Sequence, residues 1–525
     1  MAKEIYTIIS PDKGLNVDTA SPFLETSQTP ALSNVYFNRN AIVQLPGRTA
    51  FGPDTDLGNA VVHVTTLKKI DGTEHLIVTT LTKTWRYNAT ISTWVDLDSV
   101  TDWSGDGDDL FSSCIALDAN AGAPLGDIII LHNGKDKIRY WDVPATATTL
   151  QLPGDSQNYD PVKIVRWFKD RLWLLGTYEG GAWQEQRIRF SDIGDVQTFS
   201  AAHFVDLMET PGRMVAAEEL GPALIIYKED GIVSVNHVGG ENPFTFPVIV
   251  EGLGALSAHC VTRVRGLHYF LGTDYNVYQY DGTYEPKAVG DVIRDHLKSH
   301  ITPETENRAF SFPVENLQWY CLCVPETRSY PNALYIYDYR HSTWTYAPFP
   351  SDSGLAITSA GVFKSESYTA WEDLPVDKAW SDYPIGFTWD DFGHEKGQRQ
   401  IIMGDDTGKV SVFDMSNVND RTAAIEGSFT TKEIIPHQDY LRNYKTYYEV
   451  FFEARGDNLL VEYSTNGGST WTTLGTQTMT DSFTEYRMPC IITARRFQLR
   501  FSNPTVSETW QLRACGVNFE IRGEW

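Results

Sequence analysis

Residues 223–235, ALIIYKEDGIVSV, carry a run of apolar and aromatic residues into the polar turn Lys228-Glu229-Asp230-Gly231 and back out as a second β-forming run. Val, Ile and Tyr suit a pleated, half-buried surface, and Gly supplies the backbone freedom a tight turn needs. The stretch therefore reads as a β-hairpin. Six more segments read the same way: 75–87 (HLIVTTLTKTWRY), 127–141 (DIIILHNGKDKIRYW), 171–190 (RLWLLGTYEGGAWQEQRIRF), 268–280 (HYFLGTDYNVYQY), 319–337 (WYCLCVPETRSYPNALYIY) and 400–413 (QIIMGDDTGKVSVF).

Anchored on Trp85, Tyr140, Phe190, Val235, Tyr278, Tyr335 and Val412, the steps are 55, 50, 45, 43, 57 and 77 residues. One supersecondary unit recurring at about 40 to 50 residues is the sequence signature of radial β-repeats. A single unit cannot bury both of its faces, so neighbours must pack around a common axis. The expected fold is all-β: a six- or seven-bladed β-propeller with a central channel, followed by a small C-terminal antiparallel β-sandwich-like domain.

The expected organisation has three parts. Residues 1–52 form an extended N-terminal arm that closes the propeller, with tight turns around Gly14, Asn16, Pro30, Asn34, Asn38 and Pro46-Gly47. The propeller spans 53–432. Its last step holds an insertion, about 351–398, rich in Trp and Asp (Trp371, Trp380, Trp389, Asp390, Asp391), which reads as a degenerate hairpin or a contact loop. Residues 433–525 lose the blade spacing and read as the sandwich. One amphipathic helix is expected at 292–300, with Val292, Ile293, Leu297 and Ile301 on one stripe.

Composition narrows the function classes. There are 68 acidic and 43 basic residues, a net charge of −25. From His437 onward the counts are 10 acidic and 9 basic, so the preceding repeats carry nearly all of the excess. A protein that grips phosphates through counterion release needs a basic face, and no Lys/Arg cluster supplies one. Tight nucleic-acid binding is disfavoured, while passage of nucleic acid past an acidic wall is not. The first ten residues, MAKEIYTIIS, lack the apolar core of a secretory signal, and no apolar run approaches membrane-spanning length. The six cysteines are sparse. Cys321 and Cys323 lie two apart on one strand face, with Cβ atoms roughly 6 to 7 Å apart, beyond the ~4.5 Å a disulfide tolerates. Cys490 and Cys515 could meet across strands. The chain reads as reduced and assembled in the cytosol.

Several constellations contain residue types that could carry chemistry. Ser464-Thr465-Asn466-Gly467-Gly468-Ser469-Thr470-Trp471 matches the Asp-box pattern of sialidase-type propellers, but it occurs once, outside the blades, and turn chemistry explains it. His296 and His300, with Asp295 beside them, stand four apart on the expected helix and could share a face as metal ligands; the competing reading is a solvent-facing helix edge. The segment Gly105-Asp106-Gly107-Asp108-Asp109 and the pair Asp405-Asp406 resemble fragments of calcium loops, yet neither has the alternating ligands and closing Glu of an EF-hand. No nucleophile elbow, P-loop, HExxH or dinucleotide fingerprint is present.

The layout resembles the β-propeller tail proteins of short-tailed phages, the packaged-DNA stabilisation or tail hub and nozzle family. Four stretches carry the resemblance: the arm from Gly14 to Gly47; residues 276–307 (NVYQYDGTYEPKAVGDVIRDHLKSHITPETEN); the strand after Phe310 leading into 333–344 (ALYIYDYRHSTW); and the C-terminal module with Arg495-Arg496-Phe497-Gln498-Leu499-Arg500-Phe501 and a final strand at 517–521. The resemblance implies a virion protein assembled in the host cytoplasm, with six copies in a ring below the head-to-tail adaptor. It also implies contacts with other tail proteins (needle, fibre or tailspike), retention of packaged DNA, and a channel for double-stranded DNA at ejection. It brings no catalytic residue, cofactor or metal ligand, so the chain is expected not to be an enzyme; which residues line or gate the channel is not readable. Six copies would gather about −150 formal charges round one axis, tolerable where acidic walls keep a polyanion centred and mobile. A negative surface also favours solubility.

Two other readings compete. A sialidase-like propeller glycosidase or depolymerase needs an arginine cluster for a sugar carboxylate, for which Arg139, Arg189 and Arg263 are candidates, together with a Tyr/Glu nucleophile pair. A generic propeller scaffold for protein partners would show repeated Trp-Asp signatures. Trp141-Asp142 is the clean example within the hairpins.

Overall fold

The computed structural model describes residues 4–9, 12–38, 40–70, 72–88, 92–97, 102–109, 111–118, 126–142, 159–240, 242–349, 356–364, 399–435, 443–504 and 508–523. Apart from residues 356–364, the 351–398 insertion, with Trp371, Trp380, Trp389, Asp390 and Asp391, lies outside the described residues. The chain is all-β, with 55% strand and 4% helix, arranged as many small sheets. A closed propeller is not detected among the described residues.

Each of the seven hairpins is a pair of adjacent antiparallel strands inside a small sheet. The turns follow backbone chemistry. Lys169 and Asp170 both take positive φ (51° and 55°) between Val162–Phe168 and Arg171–Glu179, and Gly180 and Gly181 (60° and 86°) do the same before Ala182–Phe190. Two consecutive residues at positive φ match the twist of the flanking strands.

The chain divides into two compact units. One comprises Ala50–Val205 and Thr358–Phe413. Its first sheet runs Val61–Lys68, Glu74–Thr80, Thr84–Asn88, Thr93–Asp96, its second Ser112–Asp118, Gly126–His132, Arg139–Asp142, and its third begins at Val162–Phe168. Apolar layers join neighbours. Leu67 and Ile77 meet Ile129, Leu131 and Trp141, while Ile128 and Ile130 meet Leu172 and Leu174. The strands Arg399–Asp405 and Val410–Phe413, from the end of the repeat region, pack Ile402 and Val410 against Val61, Val64 and Val78 of the first sheet.

The other unit comprises Met1–Thr49, Asp206–Ile357 and Asp414–Trp525. It holds the sheets built on Ala223–Lys228, Leu267–Leu271 and Trp319–Val324. All six residues of Ala223–Lys228, Trp319–Val324 and Ala333–Asp338 are buried, whereas Phe310–Val314 alternates buried and half-buried. A strand covered on both faces needs a continuous apolar run, and an outer strand needs only one apolar face. The expected helix is a 3-10 turn, Asp291–Ile293, running into an α-helix, Arg294–His300, with Ile293, Leu297 and Ile301 buried.

In the same unit the C-terminal strands form two facing sheets that share a core. Tyr444–Gly456 pairs with Thr484–Ala494 on one side and Trp510–Gly523 on the other, while Asn458–Ser464 pairs with Thr472–Thr478 and Gln498–Ser502. Phe452 packs edge-on to Phe501 at 5.6 Å, and Tyr447 stacks on Phe497 at 4.3 Å. Described segments of the N-terminal arm are woven into these sheets. Glu4–Ile9 pairs with Trp510–Gly523 from Glu4↔Phe519 to Ile9↔Ala514, and Ala31–Ser33 pairs with Ser428–Thr430. Leu15 N–H donates to Trp344 O at 2.9 Å, and Asn34 N–H to Tyr346 O at 3.1 Å.

The six cysteines are free thiols. Cys490 and Cys515 sit on strands separated by Tyr444–Gly456, so the cross-strand pairing open from sequence does not form. No helix among the described residues is long and apolar enough to cross a membrane.

Candidate functional site: a carboxylate held by two tyrosines beside a histidine pair

The segments 291–302 and 324–348 bring together a polar cluster centred on Glu326. Glu326 follows the buried strand Trp319–Val324 and accepts from Tyr335 Oη at 2.9 Å through Oε1 and from Tyr346 Oη at 2.8 Å through Oε2. His296 Nδ1 reaches the same Tyr335 hydroxyl, and the His296 ring meets Tyr346 edge-on at 5.1 Å. Tyr335 is fully buried. Burial pushes its phenol far above the usual range, and Glu326 adds to the push. Tyr346 is raised for the same two reasons, in the same order. A phenol in this state is a firm proton donor to a carboxylate rather than a ready nucleophile.

His296 and His300 do share a face of the helix Arg294–His300, with ring centroids 3.9 Å apart and planes 18° from parallel. His296 is half-buried and His300 exposed, so the pair is not simply a solvent-facing edge. Desolvation first, and His300 second, bring the His296 imidazole down to about 4, which keeps it neutral near pH 7.

A second cluster lies in the unit containing Ala50–Val205. Arg189 forks onto Glu179, Nε to Oε1 at 2.7 Å and Nη2 to Oε2 at 2.8 Å, while Thr177 Oγ1 donates at 2.6 Å and Arg187 Nη1 at 3.2 Å. Burial works against the Glu179 carboxylate, but the Arg189 and Thr177 hydrogen bonds and the arginine charge outweigh it and hold the group at about 2. Tyr159 covers the Arg189 guanidinium at 4.0 Å.

Of the three arginines that are candidates for a sugar carboxylate, two are engaged elsewhere. Arg189 is committed to Glu179, Arg139 stacks on Trp103 at 3.7 Å, and Arg263 is an exposed residue of Thr262–Val264 in the other unit. Neither Glu179 nor Glu326 is marked by any local pattern, because both depend on partners brought in from neighbouring strands and loops.

The Asp-box-like segment is a turn between Asn458–Ser464 and Thr472–Thr478. Asn466 Oδ1 accepts from Thr470 N–H at 3.0 Å, Ser464 Oγ accepts from Gly468 N–H at 3.0 Å, and the two glycines carry the positive φ (71° and 83°). Asp405 is likewise a turn residue, its Oδ1 accepting from Thr407 N–H, Thr407 Oγ1 and Lys409 N–H. Asp106 accepts from Asp108 N–H at 2.9 Å. Among the described residues, no group of three or more His, Cys, Asp or Glu side chains is placed to hold a metal ion.

No family model and no curated protein matches the chain. Solved structures similar to it include PorZ, a surface component of the type-IX secretion system of Porphyromonas gingivalis (10% identity, 81% of this chain and 46% of that one, TM-score 0.36). They also include an exo-β-1,3-galactanase from Phanerochaete chrysosporium (8%, 77% and 95%, TM-score 0.26) and a family 43 arabinoxylan arabinofuranohydrolase from Bacillus subtilis (9%, 91% and 99%, TM-score 0.26). The chain thus spans less than half the length of PorZ. Two of these structures are glycoside hydrolases, so the expectation that the chain is not an enzyme does not stand. With every TM-score below 0.5, the likenesses carry no argument about what this chain does.

Proposed function

We propose that this chain is a structural ring protein of a short phage tail, a propeller whose copies surround an acidic channel that retains and then releases DNA below the head-to-tail adaptor. The observation that carries this reading is the run of seven small sheets among the described residues, each organised on one of the spaced hairpins. Such sheets are the parts from which a propeller of six or seven blades is assembled. Nearly the whole charge of −25 lies within and before that run, which suits a wall that repels a passing polyanion. The arm woven into the C-terminal sheets would keep the two ends of the chain from fraying under ejection load. The sequence resemblance supplies the remaining parts: six copies, the adaptor, and needle, fibre or tailspike partners.

The test is the native mass of the purified full chain, alone and with a phage adaptor ring. A closed six-fold ring is expected. A strict monomer that hydrolyses sialosides would overturn the reading. A second measurement concerns the channel: Asp/Glu→Asn/Gln changes on its wall should slow DNA ejection and leave folding intact.

A propeller glycosidase is the second reading, and one observation bears on it: Tyr346 Oη donates to Glu326, a Tyr–Glu juxtaposition of the residue types such an enzyme needs, with the phenol in its proton-donor rather than its nucleophilic state. Hydrolysis of a sialoside or capsular glycan, lost in both Glu326→Gln and Tyr346→Phe, would establish it.

A further inference from the structure

Asp160 stands at the seam between the second and third sheets of the unit that contains Ala50–Val205. It lies just ahead of the strand Val162–Phe168, and Ile138, directly before the strand Arg139–Asp142, donates its N–H to the carboxylate. The surroundings are apolar. Ile138 and Val162 are buried in the layer that joins the two sheets, and Tyr159 packs against that layer with its ring edge-on to Phe199 at 5.9 Å. The backbone beside Asp160 is tied down, since Pro161 O accepts from Tyr178 N–H at 3.0 Å. Asp160 Oδ1 is buried and has no hydrogen-bond partner in the protein. A carboxylate with one oxygen left bare against an apolar layer is costly, and the neutral acid is far less so.

The neighbouring charges do not cancel that cost. Lys137 faces Asp160 from the second sheet and favours the charged form, but burial outweighs it and pushes the carboxyl up to about 6. Asp136, on the same turn as Lys137, is held by Ser104 and Asn133. On the third sheet Arg189 is forked onto Glu179, and Lys163 lies over the Trp183 ring at 4.1 Å, so both cations are engaged with other groups.

We propose that Asp160 is a proton-operated clasp between the second and third sheets, holding the seam shut when its carboxyl is neutral and easing it when the carboxyl is ionised. An aspartate in water titrates near 3.8, so the closed seam keeps its proton to higher pH than the open one. The seam is therefore tightest below about pH 4, loosens as pH rises towards 6, and stays at the loosened level above it. Between pH 5 and pH 7.5 the equilibrium for opening should rise about tenfold.

The experiment is residue-resolved hydrogen exchange on the full chain from pH 5 to pH 7.5, with each rate divided by its intrinsic base-catalysed value to leave the opening equilibrium. The amide of Ile138 reports the seam, and that of Val450, in the other unit, is the control. In native protein the opening of Ile138 should rise about tenfold over this range while that of Val450 stays level. Asp160→Asn keeps the shape and an acceptor for Ile138 N–H but cannot ionise, so its Ile138 opening should be flat with pH and near the native value at pH 5 or below it. The native titration decides the proposal by itself should that variant fail to fold. Native opening at Ile138 that changes less than about twofold would overturn it, as would an equal rise at Val450. An Asp160→Asn chain that keeps the native pH dependence would overturn it as well.

Discussion

Arg48 clasps Asp420 through two parallel hydrogen bonds, Nε to Oδ1 at 2.5 Å and Nη2 to Oδ2 at 2.6 Å, with 3% and 5% of the side chains exposed. The two residues are 372 positions apart, and the pair fixes the end of the N-terminal arm to the segment that enters the C-terminal sheets. Bidentate geometry is the arrangement in which Arg and a carboxylate gain most. Removing one partner leaves an uncompensated buried charge. Arg48→Ala should therefore destabilise its unit by about 3 to 5 kcal/mol. Replacing both residues by apolar ones of similar volume should recover much of the loss, and a denaturant double-mutant cycle would check it.

The Glu179–Arg189 fork makes an acid-dependent contribution. Glu179 sits lower in the folded chain, at about 2, than its ordinary value of 4.5. Its stabilisation is complete above 4.5 and is lost as pH falls from there towards 2. Glu179→Gln should lower the melting temperature at pH 7 and flatten its decline between pH 5 and pH 3. An unchanged slope in that window would show that the fork is energetically silent.

Gly254 packs directly on the turn after Ala223–Lys228. A Cβ at that position would lie 1.8 Å from Lys228 O and 2.6 Å from the carbonyl carbon of Glu229, both backbone atoms that cannot swing aside. Gly254→Ala should cost about 1 to 3 kcal/mol through a forced backbone shift. Hydrogen exchange of the amides around Lys228 should accelerate selectively.

The Asp-box-like turn predicts a small, local effect. Asn466→Ala removes the acceptor of Thr470 N–H and Ser464 Oγ and the donor to Thr470 Oγ1, at an exposed turn. The expected loss is about 1 kcal/mol with no change in oligomeric state. A loss of assembly in that variant would assign the turn to an interface instead.

Much of the local structure was legible because it depends on neighbours in the chain. Val, Ile and Tyr runs around Lys228-Glu229-Asp230-Gly231 can bury their side chains only as paired strands, and the same holds at the other six hairpins. The helix near His296 followed from Ile293, Leu297 and Ile301 at helical spacing, and its first turn tightens to 3-10 at Asp291–Ile293. The polar clusters were not legible in the same way. In the sequence Glu326 is one acid among 68, and only the fold brings Tyr335 and Tyr346 onto it. Arg189 read as a free cation for a ligand, whereas it is already spent on Glu179.

Taken alone, the order of residues determined that the chain pairs its strands locally, repeats that act seven times, and concentrates negative charge in the repeats, since each property depends on composition and short-range periodicity. Only the tertiary structure decided that the first strand would lie against the last, Glu4–Ile9 along Trp510–Gly523, and that His296, Tyr335 and Glu326 would form one relay. Those contacts join residues whose separation along the chain carries no energetic signal until the sheets between them have formed.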